Sequence, residues 1–350
     1  MSKTINLNNK TVVISRTDSI GDVVLTLPMC AWLKQQFPEC KIVFLGQSYT
    51  RPVLESAPFI DEILEWNKIE ALPVQSRVEE LKKLEANVFI HVFPNKEIAK
   101  LAKKAKIPFR IGTSHRSYHF LSCNIKPNFT RRKSEFHEAQ LNFELLRSYG
   151  IKELPSLKEL SALMADFHPK GTLPQDIQRS IEGLNLEQGK KKVILHARSQ
   201  GSAVEWDIEK FSRLAKLLAD NGHAVFYTGT NEEGVNIRGS IPTAQNVFDV
   251  TGKLTLAELQ SFILQMDTLV ACSTGPLHLA GILGIEAIGL FSPRRPIHPG
   301  RWMPLGEATK VIVHDEDCEL CAKGEDCDCI TKITAEKVYD TITSNIEELA

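Results

Sequence analysis

Short β-rich runs alternate with helical stretches twice along this chain of 350 residues, and that pattern restricts its fold more than any other feature. In the first half, strands are predicted at Thr11 to Ile14, Lys41 to Leu45, Ile60 to Glu65, Asn87 to Phe93 and Phe109 to Gly112. From Lys192 the alternation resumes, with strands at Lys192 to Ala197, His223 to Thr228, Val247 to Val250, Thr268 to Cys272 and Ala287 to Phe291. Strands separated by helices imply a mostly parallel sheet covered on both faces. The length exceeds the roughly 150 residues of a typical domain. The expected fold class is therefore α/β, with two doubly wound halves divided near residue 165 and a cleft between them.

Composition sets the partners that can be excluded. The chain is 43% hydrophobic, and its 42 basic and 43 acidic side chains leave a net charge of −1, which gives no global argument for nucleic acid. Met1 to Lys10 is polar, and no run approaches the roughly 18 apolar residues of a membrane span, so a cytoplasmic protein is expected. Lys100, Lys103, Lys104, Lys106 and Arg110, with Arg116, Arg131, Arg132 and Lys133, form the most basic region. Its lysines are read first as a solvated face and second as a contact for an anionic partner or membrane surface.

The first β-run leads into Ser15-Arg16-Thr17-Asp18-Ser19-Ile20-Gly21-Asp22 and then a helical pattern from Val23. This reads as a strand, a tight turn and a helix start, where free N–H groups favour anions and a glycine admits close approach. Ligands of open α/β sheets bind beyond the carboxyl ends of the strands, so a carboxylate there can take a proton from a substrate hydroxyl. Asp18 and Asp22 are the two candidates, and capping is the alternative role for both. Pro28 inside the following helical pattern predicts a kink or break.

In the second half, His196 to Trp206, Thr228 to Glu233 and Cys272 to His278 each follow a strand and precede a helix. Ser273-Thr274-Gly275-Pro276 combines a hydroxyl cap, a glycine and a proline in the first turn, an anion-ready helix start. His278 in that turn is read either as a donor to a phosphate or sugar or as a core residue. Arg198 and Ser199 follow their strand directly, where a planar guanidinium can brace a diphosphate. Glu232 and Glu233 can accept from ribose hydroxyls. No G-x-G-x-x-G follows the first strand, which argues against a dinucleotide cofactor.

Four of the eight cysteines fall at Cys318, Cys321, Cys327 and Cys329. The CxxC could hold one side of a zinc ion, but the second pair has one intervening residue instead of two. Free or redox-labile thiols are therefore expected ahead of a structural metal. The acidic triplets Asp315-Glu316-Asp317 and Asp326-Cys327-Asp328 lie in the same tail and are not read as metal motifs.

Together these segments resemble glycosyltransferase family 9, the ADP-heptose:lipopolysaccharide heptosyltransferases, over nearly the whole chain. Arg16-Thr17-Asp18-Ser19-Ile20-Gly21-Asp22-Val23-Val24-Leu25-Thr26-Leu27-Pro28 looks like the family's N-terminal signature. Thr251-Gly252-Lys253-Leu254-Thr255-Leu256, followed by Ser273-Thr274-Gly275-Pro276-Leu277-His278-Leu279-Ala280, looks like its donor-site signature. The resemblance implies a GT-B fold with two Rossmann-like domains, an acceptor domain over 1–165 and a donor domain over 166–333. It also implies a last helix, 334–350, that crosses back to the first domain.

The implied reaction is an inverting transfer of heptose or a related sugar from ADP-heptose or another nucleotide-sugar to a lipopolysaccharide core. No cofactor and no divalent metal is implied. Asp22 matches the catalytic base. Donor binding is implied for Arg198, Ser199, Glu232, Glu233, Leu254, Ser273, Thr274, Gly275 and His278, and acceptor binding for Ser19, Gly21, Arg116, Arg131 and Arg132. The protein would then work in the cytoplasm, with peripheral contact to the cytoplasmic face of the inner membrane. Two positions depart from the family pattern: Ser273 stands where Asp usually precedes Thr-Gly, and Val204 where Lys usually lies two residues before Trp. They motivate the alternative of a degenerate transferase that binds a nucleotide or glycan without turnover.

Overall fold

Val12, Val13 and Ile14 of the first strand are wholly buried, each worth about 1.5–3 kcal/mol of apolar burial, and a parallel sheet grows outward on both sides of them. The computed structural model describes residues 6–131, 134–199, 201 and 203–344. It divides into two compact units, Met1–His168 and Pro169–Ala350.

In the first unit the strands are β1 Thr11–Ser15, β2 Lys41–Gly46, β3 Glu62–Glu65, β4 Val88–His91 and β5 Phe109–Ile111, in the order β3-β2-β1-β4-β5. All are parallel, so every strand leaves the sheet by the same edge, and Ser15 stands level with Leu45 and His91. The helical pattern after β1 is broken where Pro28 demands it. Ile20–Val24 ends at Leu25, and a second helix, Leu27–Gln36, starts with the proline in its first turn, where its missing N–H costs nothing.

The second unit has β6 Lys192–His196, β7 Ala224–Thr228, β8 Val247–Asp249, β9 Thr268–Cys272, β10 Glu286–Phe291 and β11 Thr309–Val313. Their order is β11-β10-β9-β6-β7-β8, again parallel throughout. The loops after β9, β6, β7 and β8 therefore follow one another along a single edge. The strand β11 has no counterpart among the sequence-based expectations.

The last described helix is Ala335–Thr343, within the range expected to cross back to the first domain. It buries Ala335, Val338 and Ile342 in the second unit's core and packs against Ile208–Asp220. Its amphipathic face is thereby covered locally. Residues 345–350 of the expected helix lie outside the described residues.

Candidate functional site

Arg16 leaves β1 directly into the first unit and organises the turn that follows. It is buried, its Nε donates to Asp18 Oδ1 at 2.7 Å and its Nη1 to Glu138 Oε1 at 3.1 Å. Its third nitrogen, Nη2, is paired with Asp22 Oδ1. Burial opposes the charge on Arg16, and the Asp18 and Glu138 carboxylates more than offset it, so its pKa is raised.

Asp22 sits in the first turn of Ile20–Val24, and Ser19 Oγ, at the helix cap, donates to Asp22 Oδ2 at 2.5 Å. Ser19 is exposed and Asp22 half-buried, whereas Gly21 is buried. Gly21 also lies in the helix and is not among the glycines with positive φ, so its backbone needs no glycine there. Asp18 and Asp22 are thus bound to one guanidinium, and Asp18 also fixes the loop by accepting from Tyr49 Oη on its carbonyl at 2.7 Å.

Glu138 connects this cluster to the basic segment. Its Oε1 also accepts from Arg131 Nη1, and Arg131 Nη2 donates to Asn142 Oδ1 at 3.0 Å and to the Val92 carbonyl at 3.2 Å. Arg16 and Arg131 thus meet Asp18, Asp22 and Glu138 in one cluster, and burial raises the Asp18 pKa against the lowering effect of Arg16. Arg131, expected at the acceptor, is braced within this cluster. Arg116 stands apart from the cluster on an exposed turn, and Arg132 lies outside the described residues.

The exposed lysines of Lys96–Lys104 agree with a solvated face, and Arg110 is tied to the Ser122 carbonyl at 2.7 Å. Beneath them two buried histidines face each other, His91 and His119, with ring centroids 5.7 Å apart. Burial, with His119 and Arg110 nearby, pushes His91 down to about 3. Neither of its ring nitrogens has a hydrogen-bond partner.

Along the second unit's edge, the loop after β6 folds around Glu205, a residue with no role among the expectations. Arg198 Nη1 donates to Glu205 Oε2 at 2.8 Å, while the Ser199 N–H and Oγ reach Oε1 at 2.8 and 2.9 Å. Burial opposes the charge on Glu205, but the Arg198 guanidinium and the N–H and hydroxyl of Ser199 hold it in its ionised form, and its pKa is lowered. A diphosphate drawn to Arg198 would compete with this carboxylate. At the end of β6, burial lowers His196 against the pull of Glu233 and Glu205, and its Nδ1 lies 3.0 Å from Thr228 Oγ1.

Glu233 is a helix cap. Its Oε2 accepts from the Thr230 N–H at 2.6 Å, and its own N–H donates to Thr230 Oγ1, the reciprocal pair of a capping box. One oxygen of Glu233, expected at a ribose, is thus engaged in the cap, and Glu232 is the exposed member of the pair. Leu254 is half-buried in the loop after β8. That loop is pinned to the one after β7 by the Gly252 N–H, which donates to the Gly229 carbonyl at 2.8 Å.

Thr274 starts the eight-residue helix Gly275–Ile282, yet its buried Oγ1 has no hydrogen-bond partner. An orphan hydroxyl at a helix N-terminus is where an anion's oxygen would be received. His278 is buried one turn further on, with its N–H on the Thr274 carbonyl at 3.3 Å. Ser273 and Val204, the two departures, line one small pocket together with Phe291, Ser292, Ile297 and Ile330. No charged side chain is among its described lining residues. Among the described residues one group has metal-ligand spacing, the four tail cysteines, and neither acidic triplet joins it as a unit.

The sequence model of glycosyltransferase family 9 (heptosyltransferase) matches residues 77–329. The chain belongs to glycosyltransferase family 9. A Haemophilus influenzae relative with only a general glycosyltransferase name is 28% identical over 306 residues, 86% of this chain and 88% of its own. Lipooligosaccharide heptosyltransferase 2 of the same organism is 22% identical over 304 residues, covering 84% and 85%. The solved structure of E. coli ADP-heptose lipopolysaccharide heptosyltransferase II superposes with a TM-score of 0.73 at 17% identity, over 97% of this chain and 100% of that one. The fold is thus GT-B, with two Rossmann-like domains, and the family member described here is a glycosyltransferase in class. No described helix is long and apolar enough to cross a membrane.

Proposed function

We propose that this glycosyltransferase moves a heptose, or a related sugar, from a donor of the ADP-heptose class to a lipopolysaccharide core acceptor, with inversion. The observation that carries the reading is Asp22, held at the carboxyl end of β1 by Arg16 and Ser19. As the acceptor oxygen attacks the anomeric carbon, its proton passes to Asp22. The bond to the donor diphosphate breaks on the opposite side, and the nucleoside diphosphate departs with the bonding electrons. Thr274, the N-terminus of Gly275–Ile282 and Arg198 receive its charge, so the step needs no divalent ion.

The names of the family relatives support the donor and acceptor classes. A transfer assay with ADP-heptose and core acceptors tests the reading, with Asp22→Asn expected to slow turnover by roughly 10²–10⁴-fold. Undiminished turnover in both Asp22→Asn and Asp22→Ala would remove Asp22 from the reaction.

The uncharged pocket around Val204 and Ser273 favours a second reading, donor binding without turnover. Calorimetric binding of ADP-heptose with no product from a panel of acceptors would establish it. Peripheral contact with the inner membrane from the cytoplasm belongs to the leading reading. Phe120 and Leu121 are 62% and 77% exposed, and Lys126 lies 5.9 Å over the Phe120 ring, an apolar tip with cations beside it. Cosedimentation with anionic but not neutral vesicles is expected, and equal behaviour with both would refute the contact.

A further inference from the structure

Four cysteines whose spacing favours free thiols are brought to one point of the second unit. Cys318 and Cys321 belong to the start of the short helix Glu319–Lys323, and Cys327 and Cys329 return beside it. Gly324 makes the reversal, with φ 75°, and its N–H donates to the Cys321 carbonyl at 3.0 Å. Arg294 braces the same turn by donating to the Gly324 carbonyl at 2.7 Å. Beyond Cys329, Ile330 and Ile333 enter the second core, and Trp206 Nε1 donates to the Ile333 carbonyl at 2.9 Å. Cys321 and Cys329 are buried, and Cys318 and Cys327 are half-buried.

The sulfur positions form a ligand set. Cys321 Sγ is 2.9 Å from Cys327 Sγ and 3.9 Å from Cys329 Sγ, and all four sulfurs lie within 4.8 Å of one another. Four thiolates bound to one zinc ion at about 2.3 Å stand roughly 3.8 Å apart. Sulfurs this close enclose a single ion and leave no space for the bridging sulfides of a cluster.

We propose that Cys318, Cys321, Cys327 and Cys329 bind one zinc ion in a closed four-thiolate site that staples the tail to the second unit's core. All four positions are filled by the protein, so no open position remains for substrate and the role is structural. On binding, four thiols release four protons to solvent, one Zn²⁺ enters, and no electron changes hands. The site then carries two negative charges, with Arg294 and Lys332 nearby as cations. Lys332 pairs with Asp328 at 3.1 Å. Ile330, next to Cys329 in the chain, is a wall of the pocket that Val204 and Ser273 line, so the ion fixes that wall.

Metal analysis of the full chain, purified without chelator, is expected to find one zinc per molecule. After chelation the protein should take up Co²⁺ with thiolate-to-cobalt charge-transfer bands and tetrahedral d–d bands, both abolished by added zinc. Cys318→Ser and Cys327→Ser are expected to lose the stoichiometric zinc, whereas Cys40→Ser, in the first unit, keeps it. A folded chain without metal whose eight cysteines all titrate as thiols would overturn the site. So would a mass deficit of four hydrogens, which signals two disulfides, and iron in place of zinc would overturn the zinc assignment. If the serine variants fail to fold, the cobalt titration of the unaltered chain still decides.

Discussion

Removing the Glu138 carboxylate would leave two guanidinium groups, those of Arg16 and Arg131, facing each other inside the first unit. Breaking a buried ion pair on one side typically costs about 3–5 kcal/mol. Glu138→Gln is expected to lower stability by an amount in that range, read as a shift of the urea midpoint at constant slope. Because Arg16 also holds Asp22, turnover should fall while donor affinity is kept. An unchanged midpoint would show that the cluster is solvated in solution.

At His91 the consequence depends on pH. Its folded value is lowered by burial from 6.5 to about 3. Below pH 6.5 the unfolded chain takes up a proton that the folded chain refuses, so this residue costs nothing above that pH and progressively destabilises the fold as pH falls toward 3. At pH 5 the loss is about 2 kcal/mol. Since neither ring nitrogen has a hydrogen-bond partner, His91→Phe should match or exceed the unaltered chain at pH 7 and be less sensitive to acid. Equal losses in the two proteins between pH 7 and pH 5 would refute this account.

Among the elements, the loop after β8 has at Gly252 a backbone position with no room for a side chain. It has φ 73°, and an added Cβ would stand 2.8 Å from Asn231 Cα. Gly252→Ala is expected to cost about 1–3 kcal/mol and to loosen the loop holding Leu254. Urea unfolding measures the first effect and ADP affinity the second. The strands around this edge are legible in the sequence because burial on both faces makes them near-continuous apolar runs. The two margins of the sheet, β8 and β11, are mostly half-buried, and only β8 is among the expected strands. Capping boxes are equally local, and Thr230-x-x-Glu233 carries the signature of one. By contrast, Glu138 meets Arg16 across 122 positions of sequence, and no local pattern marks such a partner. The cysteine set is a further case: a glycine turn and a core anchor, not the intervals between cysteines, bring its sulfurs together.

At the scale of the molecule, each unit has its own sheet and its own core, and the candidate residues divide between them. Asp22 and its cluster belong to the first, while Arg198, Thr274 and the loops after β6, β7, β8 and β9 belong to the second. If this division follows the roles proposed, nucleotide binding and proton abstraction can be lost separately. A ligand bound only by the folded state at a hundred times its Kd stabilises it by about 2.7 kcal/mol. ADP at that ratio is expected to stabilise Asp22→Ala as much as the unaltered chain, although the variant transfers no sugar. Arg198→Gln should weaken ADP stabilisation, and also leave Glu205 without its cation. The comparison is made by thermal unfolding at matched ADP concentrations, with Glu205→Gln separating loss of the cation from loss of the loop. Loss of ADP stabilisation in Asp22→Ala would place the carboxylate in nucleotide binding and undo the assignment of the two roles to different units.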